Sequence, residues 1–126
     1  MIVLDTHVLI WWVTSPTSLS QRAMRAIDAA NELGVSSLSF WEVAVAVRKN
    51  RLDLEQSVDG WARKVRAIPR LRTIDISVDI ALLADQLAMH AAPADRFIAA
   101  TALHERAKLV TKDRLLIDAD VVETIW

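Results

Sequence analysis

The chain has 126 residues, of which 53% are hydrophobic and 25% are charged, and its formal net charge is −1. This length and apolar content suit one domain with a real core, which we expect to span residues 1–126. The charge lacks the strongly basic balance that is the simplest mark of a nucleic-acid binder, although segregated charge remains compatible with binding. The absence of cysteine excludes disulfides and thiolate metal sites, which leaves oxygen ligands and three histidines.

The chain opens MIVLDTHVLIWW, without the basic region that begins a secretory signal. No stretch approaches the roughly 18 uncharged apolar residues of a membrane span. We therefore expect a soluble protein with no membrane contact, and the lack of cysteine fits a reducing cytoplasm.

The apolar pattern alternates between strand-like and helix-like segments. In chain order it predicts strand 2–5, helix 7–13, helix 20–33, strand 35–38, helix 40–50, a helix from 54 or 57 to 68, strand 72–76, helix 77–90, helix 94–106, strand 108–111 and an edge strand 121–125. Strands alternating with helices indicate an α/β fold. The expected architecture is a parallel central sheet of four to five strands with helices on both faces.

Several residues mark where these helices begin and end. Thr6 and Ser20 suit N-caps, and Gly34 suits the end of the second helix. Ser39 is a good N-cap for the third helix, and Glu42 follows it at the spacing of a capping box.

Four acidic residues follow predicted strands or open predicted helices: Asp5, Glu42, Asp95 and Asp113. In open α/β sheets the ligand crevice lies beyond the carboxyl ends of the strands, so acids at these positions can converge. Each acid also has a structural explanation. Asp5 can cap a helix, Glu42 can complete the capping box, Asp95 can favour a helix N-terminus, and Asp113 can serve a turn.

Taken together, the four positions favour a cation site. Two carboxylates 4 Å apart repel by roughly 4 kcal/mol at an effective dielectric of 20, so the cluster would raise carboxyl pKa values or recruit a cation. Oxygen ligands favour Mg²⁺, with Mn²⁺ possible, over zinc. Such ions support phosphodiester cleavage without a nucleophilic side chain, and the chain has no cysteine, nucleophile elbow or P-loop.

Three segments carry a family resemblance: MIVLDTHVLIWW, VSSLSFWEVAVAVRKNRLDL and PADRFIAATALHERAKLVTKDRLL. In this order they resemble the PIN-domain nucleases, and in particular the VapC toxins of bacterial type II toxin–antitoxin systems. The resemblance covers nearly the whole chain. It departs at Ala92, where relatives often carry an acid before the proline, and at Asn50, where they often carry glycine.

The resemblance implies an endoribonuclease that is silenced by a cognate VapB antitoxin and is usually a homodimer. It implies that Asp5, Glu42, Asp95 and Asp113 form the acidic quartet that binds Mg²⁺ or Mn²⁺ and activates water. Thr6 and Thr111 are candidates for hydrogen bonds that orient these acids or a bound water.

Cations and aromatic residues suggest where RNA and partners bind. Arg96, Lys112 and Arg114 lie beside the acids in sequence and are candidates for RNA phosphate contacts, whereas the cations over 63–72 fit solvated helix faces. Arg96 can instead pair with a carboxylate. Aromatic rings can stack bases, but Trp11, Trp12 and Trp41 sit on apolar helices. We expect core or interface packing for these three. Trp11, Trp12 and the apolar helix over residues 43–47 could form a groove for an antitoxin helix or a second copy.

Two other functions fit parts of the pattern. A non-catalytic PIN-like module would use the acidic pocket to receive a basic partner segment. A phosphotransfer receiver domain also gathers Asp, Thr and Lys at strand ends, but the segments DTH and TIDIS do not supply its paired acids and phosphoacceptor.

Overall fold

The computed structural model describes residues 1–126 and contains a five-stranded parallel sheet with seven α-helices. The strands are β1 (Ile2–Leu4), β2 (Leu33–Ser36), β3 (Leu71–Ile74), β4 (Lys108–Val110) and β5 (Thr124–Ile125). The helices are α1 (Thr6–Thr14), α2 (Gln21–Ala29), α3 (Ser37–Arg48), α4 (Val58–Arg66), α5 (Val78–Gln86), α6 (Pro93–His104) and α7 (Arg114–Ala119), with a short 3-10 helix at Pro16–Ser18. The predicted fold class, including a fifth strand at the edge, is confirmed.

The strand order β3-β2-β1-β4-β5 places β1 at the centre of the sheet. From β1 the chain builds outward through β2 and β3 on one side, and through β4 and β5 on the other. In parallel sheets the crevice beyond the strand ends opens where the order reverses in this way. Leu4 of β1 pairs with Val110 of β4, so the residues that follow these two strands emerge side by side at that crevice.

The central strand supplies both halves of the core because its side chains alternate between the two faces of the sheet. Val3 belongs to one cluster of buried apolar side chains with Ile98 and Leu109, whereas Leu4 belongs to the other with Leu9. Val3 and Leu4 are both fully buried. The sheet is therefore covered on both faces, and the chain after Leu4 is held firmly in place.

The second helix ends earlier than the sequence predicts. α2 stops at Ala29 rather than near Leu33, and Leu33 begins β2. The predicted role of Gly34 as a helix terminator is wrong, since Gly34 pairs with Val3 inside the sheet. A Cβ at Gly34 would lie 2.9 Å from Ile74 Cδ1, so the missing side chain makes room for close packing above the strand.

Two predicted N-caps are also displaced. The side chain of Asp5, not that of Thr6, caps α1, and Ser36 caps α3 instead of Ser39. Because α3 begins directly after β2, Glu42 lies well inside the helix and the capping-box interpretation is wrong. That structural explanation for Glu42 is thereby removed.

The remaining helix boundaries agree with the sequence prediction only in part. Ser20 caps α2 as predicted, Ser57 and Ser77 cap α4 and α5, and Asn50 adopts a left-handed conformation with φ 56° after α3. α5 ends at Gln86 rather than near His90. The sequence did not predict α7, a six-residue helix with Asp113 as its N-cap. No helix has the length and apolar character needed to cross a bilayer.

The buried central strand should dominate stability. Replacing Leu4 by Ala removes a fully buried side chain, and we expect the free energy of unfolding to fall by about 2–5 kcal/mol in urea titrations. Leu82→Ala is the matched control, because Leu82 is 59% exposed and the same deletion should cost less than about 0.5 kcal/mol. Equal losses in the two variants would contradict this account of the core.

Candidate active site

The acidic side chains come from elements that meet at the carboxyl edge of the sheet. Asp5 directly follows β1, and Asp113 follows β4 after two intervening residues. Glu42 lies on α3 and Asp95 in the first turn of α6. α3 and α6 pack against each other, and α6 also packs against β1 and β4.

Asp5 is a buried acid that is held from several sides. Its carboxylate is 3% exposed, and its backbone N–H donates to Val110 O at 3.0 Å. Oδ1 accepts from Thr6 N at 2.8 Å, and Oδ2 accepts from Thr111 Oγ1 at 2.6 Å. His7 Nδ1 lies 3.5 Å from Oδ2. Both carboxylate oxygens are thus fixed in orientation, and each retains lone-pair capacity.

Thr111 joins the two strand-end acids. It is fully buried, donates its hydroxyl to Asp5, and accepts from Asp113 N at 3.0 Å. Asp113 then caps α7 by accepting from Leu115 N at 2.9 Å through Oδ1. The structure therefore places Thr111 against both Asp5 and Asp113, where the sequence predicted an orienting hydroxyl.

Thr6 contacts a different acid. Its Oγ1 donates to Glu42 Oε1 at 2.5 Å and lies 2.9 Å from Ser39 Oγ. Ser39 is fully buried one turn before Glu42, so the sequence assigned it the wrong role as a cap. Burial raises the pKa of Glu42. The hydrogen bond from Thr6 partly opposes this increase in pKa, and the charge of Asp5 adds to it. Glu42 is thereby tied to α1 and to the environment of Asp5.

Asp95 is the acid on which the charges of the other three act. Burial first, and then the charges of Asp5, Asp113 and Glu42, raise its pKa to about 6. Three acids from distant parts of the sequence act on one carboxyl, so they lie within electrostatic reach of it. Asp95 makes no side-chain hydrogen bond or ion pair that would offset this repulsion.

No lysine or arginine neutralises the acidic quartet. The ion pairs of the chain join other residues, except for the contact between His7 and Asp5. The acidic and histidine side chains do not form a compact set of three or more that could hold a metal ion. An uncompensated, oxygen-only donor set fits a hard divalent cation.

The cations beside the acids are engaged elsewhere in the structure. Arg96 donates from Nε to Ala84 O at 3.1 Å and from Nη2 to Asp85 O at 2.8 Å, which ties α6 to the end of α5. Arg114 pairs with Asp118 at 2.9 Å on the exposed face of α7.

Lys112 makes contacts through both its backbone and its side chain. Its Nζ lies 5.6 Å from the ring centroid of Trp11 and 6.0 Å from that of Trp126. Its backbone N–H donates to His7 Nε2 at 3.3 Å. His7 therefore contacts both Asp5 and the loop before Asp113, and the sequence did not assign it to the site.

Comparisons with known proteins show which family the sequence resembles. The family model described as PIN domain matches residues 2–122. Ribonuclease VapC22 of Mycobacterium tuberculosis is 38% identical over 117 residues, which cover 91% of this chain and 88% of the relative.

Solved structures match the fold along almost the full chain. VapBC2 from Rickettsia felis bound to a promoter DNA fragment gives a TM-score of 0.73 at 19% identity, with 98% of this chain and 97% of that chain covered. A toxin–antitoxin complex from Klebsiella pneumoniae gives a TM-score of 0.67 at 24% identity, with 97% and 95% covered. At these identities the structures establish the fold alone.

The repulsion on Asp95 should be measurable as pH-dependent stability. With its pKa raised to about 6 in the folded state, the neutral form stabilises the fold below the unfolded pKa near 4, and this stability is lost as pH rises through about 6. Raising the pKa of Asp95 from about 4 to about 6 corresponds to about 3 kcal/mol of folding free energy. Solvent screening of this partly exposed group reduces the effect to about 1 kcal/mol. In EDTA at pH 7.5 or so, Asp95→Asn should therefore be more stable than the wild type by about 1 kcal/mol, and the gain should vanish near pH 4. Urea titrations at both pH values measure this, and a pH-independent difference would contradict it.

The hydroxyl of Thr111 should be essential for local order. Thr111→Val leaves Asp113 N without its acceptor and Asp5 Oδ2 without its donor, so we expect a loss of about 1–3 kcal/mol in unfolding free energy. Thr111→Ser retains the hydroxyl and serves as the matched control. A Val variant as stable as the Ser variant would contradict the role of these hydrogen bonds.

Proposed function

The chain belongs to the PIN domain family, and from this premise we propose that it is a divalent-metal-dependent endoribonuclease acting as the toxin of a VapBC-type pair. The observation that carries the proposal is the acidic quartet Asp5, Glu42, Asp95 and Asp113, whose charges act on one another without a paired lysine or arginine. The 38% identity to a ribonuclease supports RNA as the substrate class. We further propose that residues 1–126 form a single domain.

Water is the nucleophile that this site can use. The chain lacks cysteine, and the hydroxyls nearest the acids belong to Thr6, Ser39 and Thr111, which are buried and hydrogen-bonded. Hydrolysis adds the elements of water across one phosphodiester bond, so that one product gains a phosphate terminus and the other a hydroxyl. The acids of the quartet are the groups available to orient that water and take its proton.

Mg²⁺, or Mn²⁺ in its place, is the cofactor we propose, with oxygen ligands drawn from the four acids. When bound, such an ion lowers the pKa of coordinated water and offsets charge on the phosphoryl oxygens. The chain's own contribution is to preset the ligands. Thr111 holds Asp5 Oδ2, and Thr6 holds Glu42 Oε1, so both carboxylates are already oriented by hydrogen bonds.

Phosphate contacts are proposed for Lys112 and Arg114, which flank Asp113. The ion pair of Arg114 is exposed and therefore weak, so a phosphate can replace Asp118 at small cost. Arg96 remains a candidate, but its contacts with two α5 carbonyls would have to be broken first.

A cognate VapB-type antitoxin is the proposed protein partner. Structurally similar proteins occur in toxin–antitoxin complexes, some of them bound to DNA. We also propose a homodimer and, given a cellular RNA substrate, a cytoplasmic location.

Removing one quartet charge should abolish cleavage while the fold persists. Asp5→Asn and Asp95→Asn should each lower the Mg²⁺-dependent rate by about a hundredfold or more, because the amide keeps the shape but not the charge. Cleavage is measured on total RNA with mapping of new 5′ ends, and far-UV circular dichroism checks the fold. Asp28→Asn, an exposed acid on α2, is the control that should retain full activity.

The same measurements distinguish a nuclease from the alternative function, a non-catalytic binding module. EDTA should stop cleavage, and Mg²⁺ or Mn²⁺ should restore it and raise the Tm of the wild type. Full cleavage by either quartet variant would refute the assignment of that residue. Tight binding of a basic peptide without any cleavage would instead support the non-catalytic binding module.

A further inference from the structure

Trp41 is the most exposed aromatic side chain near the acidic quartet. It lies on α3 immediately before Glu42, and 59% of it is exposed. Of the two predicted roles, packing in the core is therefore wrong, and packing at an interface stays a prediction. Trp61, by contrast, is buried, and Trp11 and Trp12 are partly buried against the core. A large ring left in solvent beside polar chemistry suggests a binding role.

One side of Trp41 borders an apolar cleft of about 350 Å³. The cleft is lined by Leu38 and Trp41 from α3 and by Pro93, Ala94 and Phe97 from α6. These two helices carry Glu42 and Asp95, and Ala94 directly precedes Asp95 in sequence. An occupant of this cleft would therefore lie between the two helices that carry these acids.

The other side of Trp41 borders a more polar cleft of about 240 Å³. Glu42 lines it together with Lys49 and Arg51 from the end of α3 and the turn that follows. Both cations are exposed, and neither forms an ion pair. Trp41 thus forms the wall between an apolar cleft and a cleft that carries free positive charge.

We propose that this pair of clefts binds single-stranded RNA, with one unpaired base stacked on Trp41 in the apolar cleft. Lys49 and Arg51 bind the adjoining phosphates. The proposal rests on the proposed ribonuclease function and adds to it a substrate-binding site. It predicts a preference for RNA that is unpaired at the bound base, because a base must leave its helix to stack on a protein ring.

Charge complementarity favours RNA over a protein segment as the occupant. A nucleotide combines an apolar ring with an adjoining anion, and the two clefts that share Trp41 offer an apolar surface and a cationic one. The apolar lining consists of five residues, and a cationic surface adjoins it. An apolar helix of a partner protein would gain nothing from Lys49 and Arg51.

The test compares RNA binding and cleavage by Trp41 variants of the full chain. Asp95→Asn with Mg²⁺ serves as the cleavage-deficient background, and the probes are a short single-stranded oligoribonucleotide of mixed sequence and its duplex. Trp41→Ala should weaken single-strand binding about tenfold and duplex binding much less. In the active enzyme the same change should raise KM by a similar factor with little change in kcat. Trp41→Phe should restore most of the affinity.

Two further variants sharpen the outcome. Leu82→Ala removes an equally exposed apolar side chain on α5 and should leave binding and cleavage unchanged. Replacing Lys49 and Arg51 together by Ser should lower the slope of log affinity against log salt by about 1.4, or about 0.7 for each phosphate contact.

Unchanged RNA affinity and KM in Trp41→Ala would overturn the proposal, even if the enzyme cleaves RNA normally. If that variant instead fails to bind a co-expressed antitoxin, the cleft belongs to a protein partner. Absence of RNA binding and cleavage by the wild type would refute the ribonuclease function itself. These results distinguish failure of the new site from failure of the activity on which it rests.

Discussion

The hydrogen bond between Thr111 and Asp5 is the contact on which the candidate site depends. It joins two residues that are 106 positions apart in sequence, and it exists because β1 and β4 pair in parallel with Leu4 opposite Val110. The next residues of both strands then leave the sheet at the same edge. Thr111 also accepts a hydrogen bond from Asp113 N, so a single buried hydroxyl fixes the relative positions of two acids.

The site combines rigid support with unrelieved repulsion. Asp5 and Glu42 are held by hydroxyl and backbone donors, whereas Asp95 has no partner and feels the other three charges. A protein optimised only for stability would place a lysine or arginine here. The absence of such a residue is understandable if the site is arranged for a cation that arrives from solution, since a bound cation offsets the repulsion among the carboxylates.

The two faces of the site then have different roles. The α1 and β4 side supplies buried hydroxyls that orient the acids, and the α3 and α6 side supplies an open apolar cleft beside them. Arg96 illustrates how the fold assigns residues that sequence proximity cannot. It adjoins Asp95, yet its guanidinium secures the end of α5 instead of facing the quartet.

The sequence by itself determined the α/β class and most of the elements, because these depend on apolar periodicity and on local caps, and it proposed the four acids from their motifs. Ser20 acted as predicted since a cap involves only the next few residues. Gly34 and Ser39 were misassigned because their roles depend on neighbours from distant segments. Only the tertiary structure decided that Thr6 contacts Glu42, that Thr111 contacts Asp5, and that Trp41 lies in solvent, since burial and charge are set by which strands pair and which helices cover them.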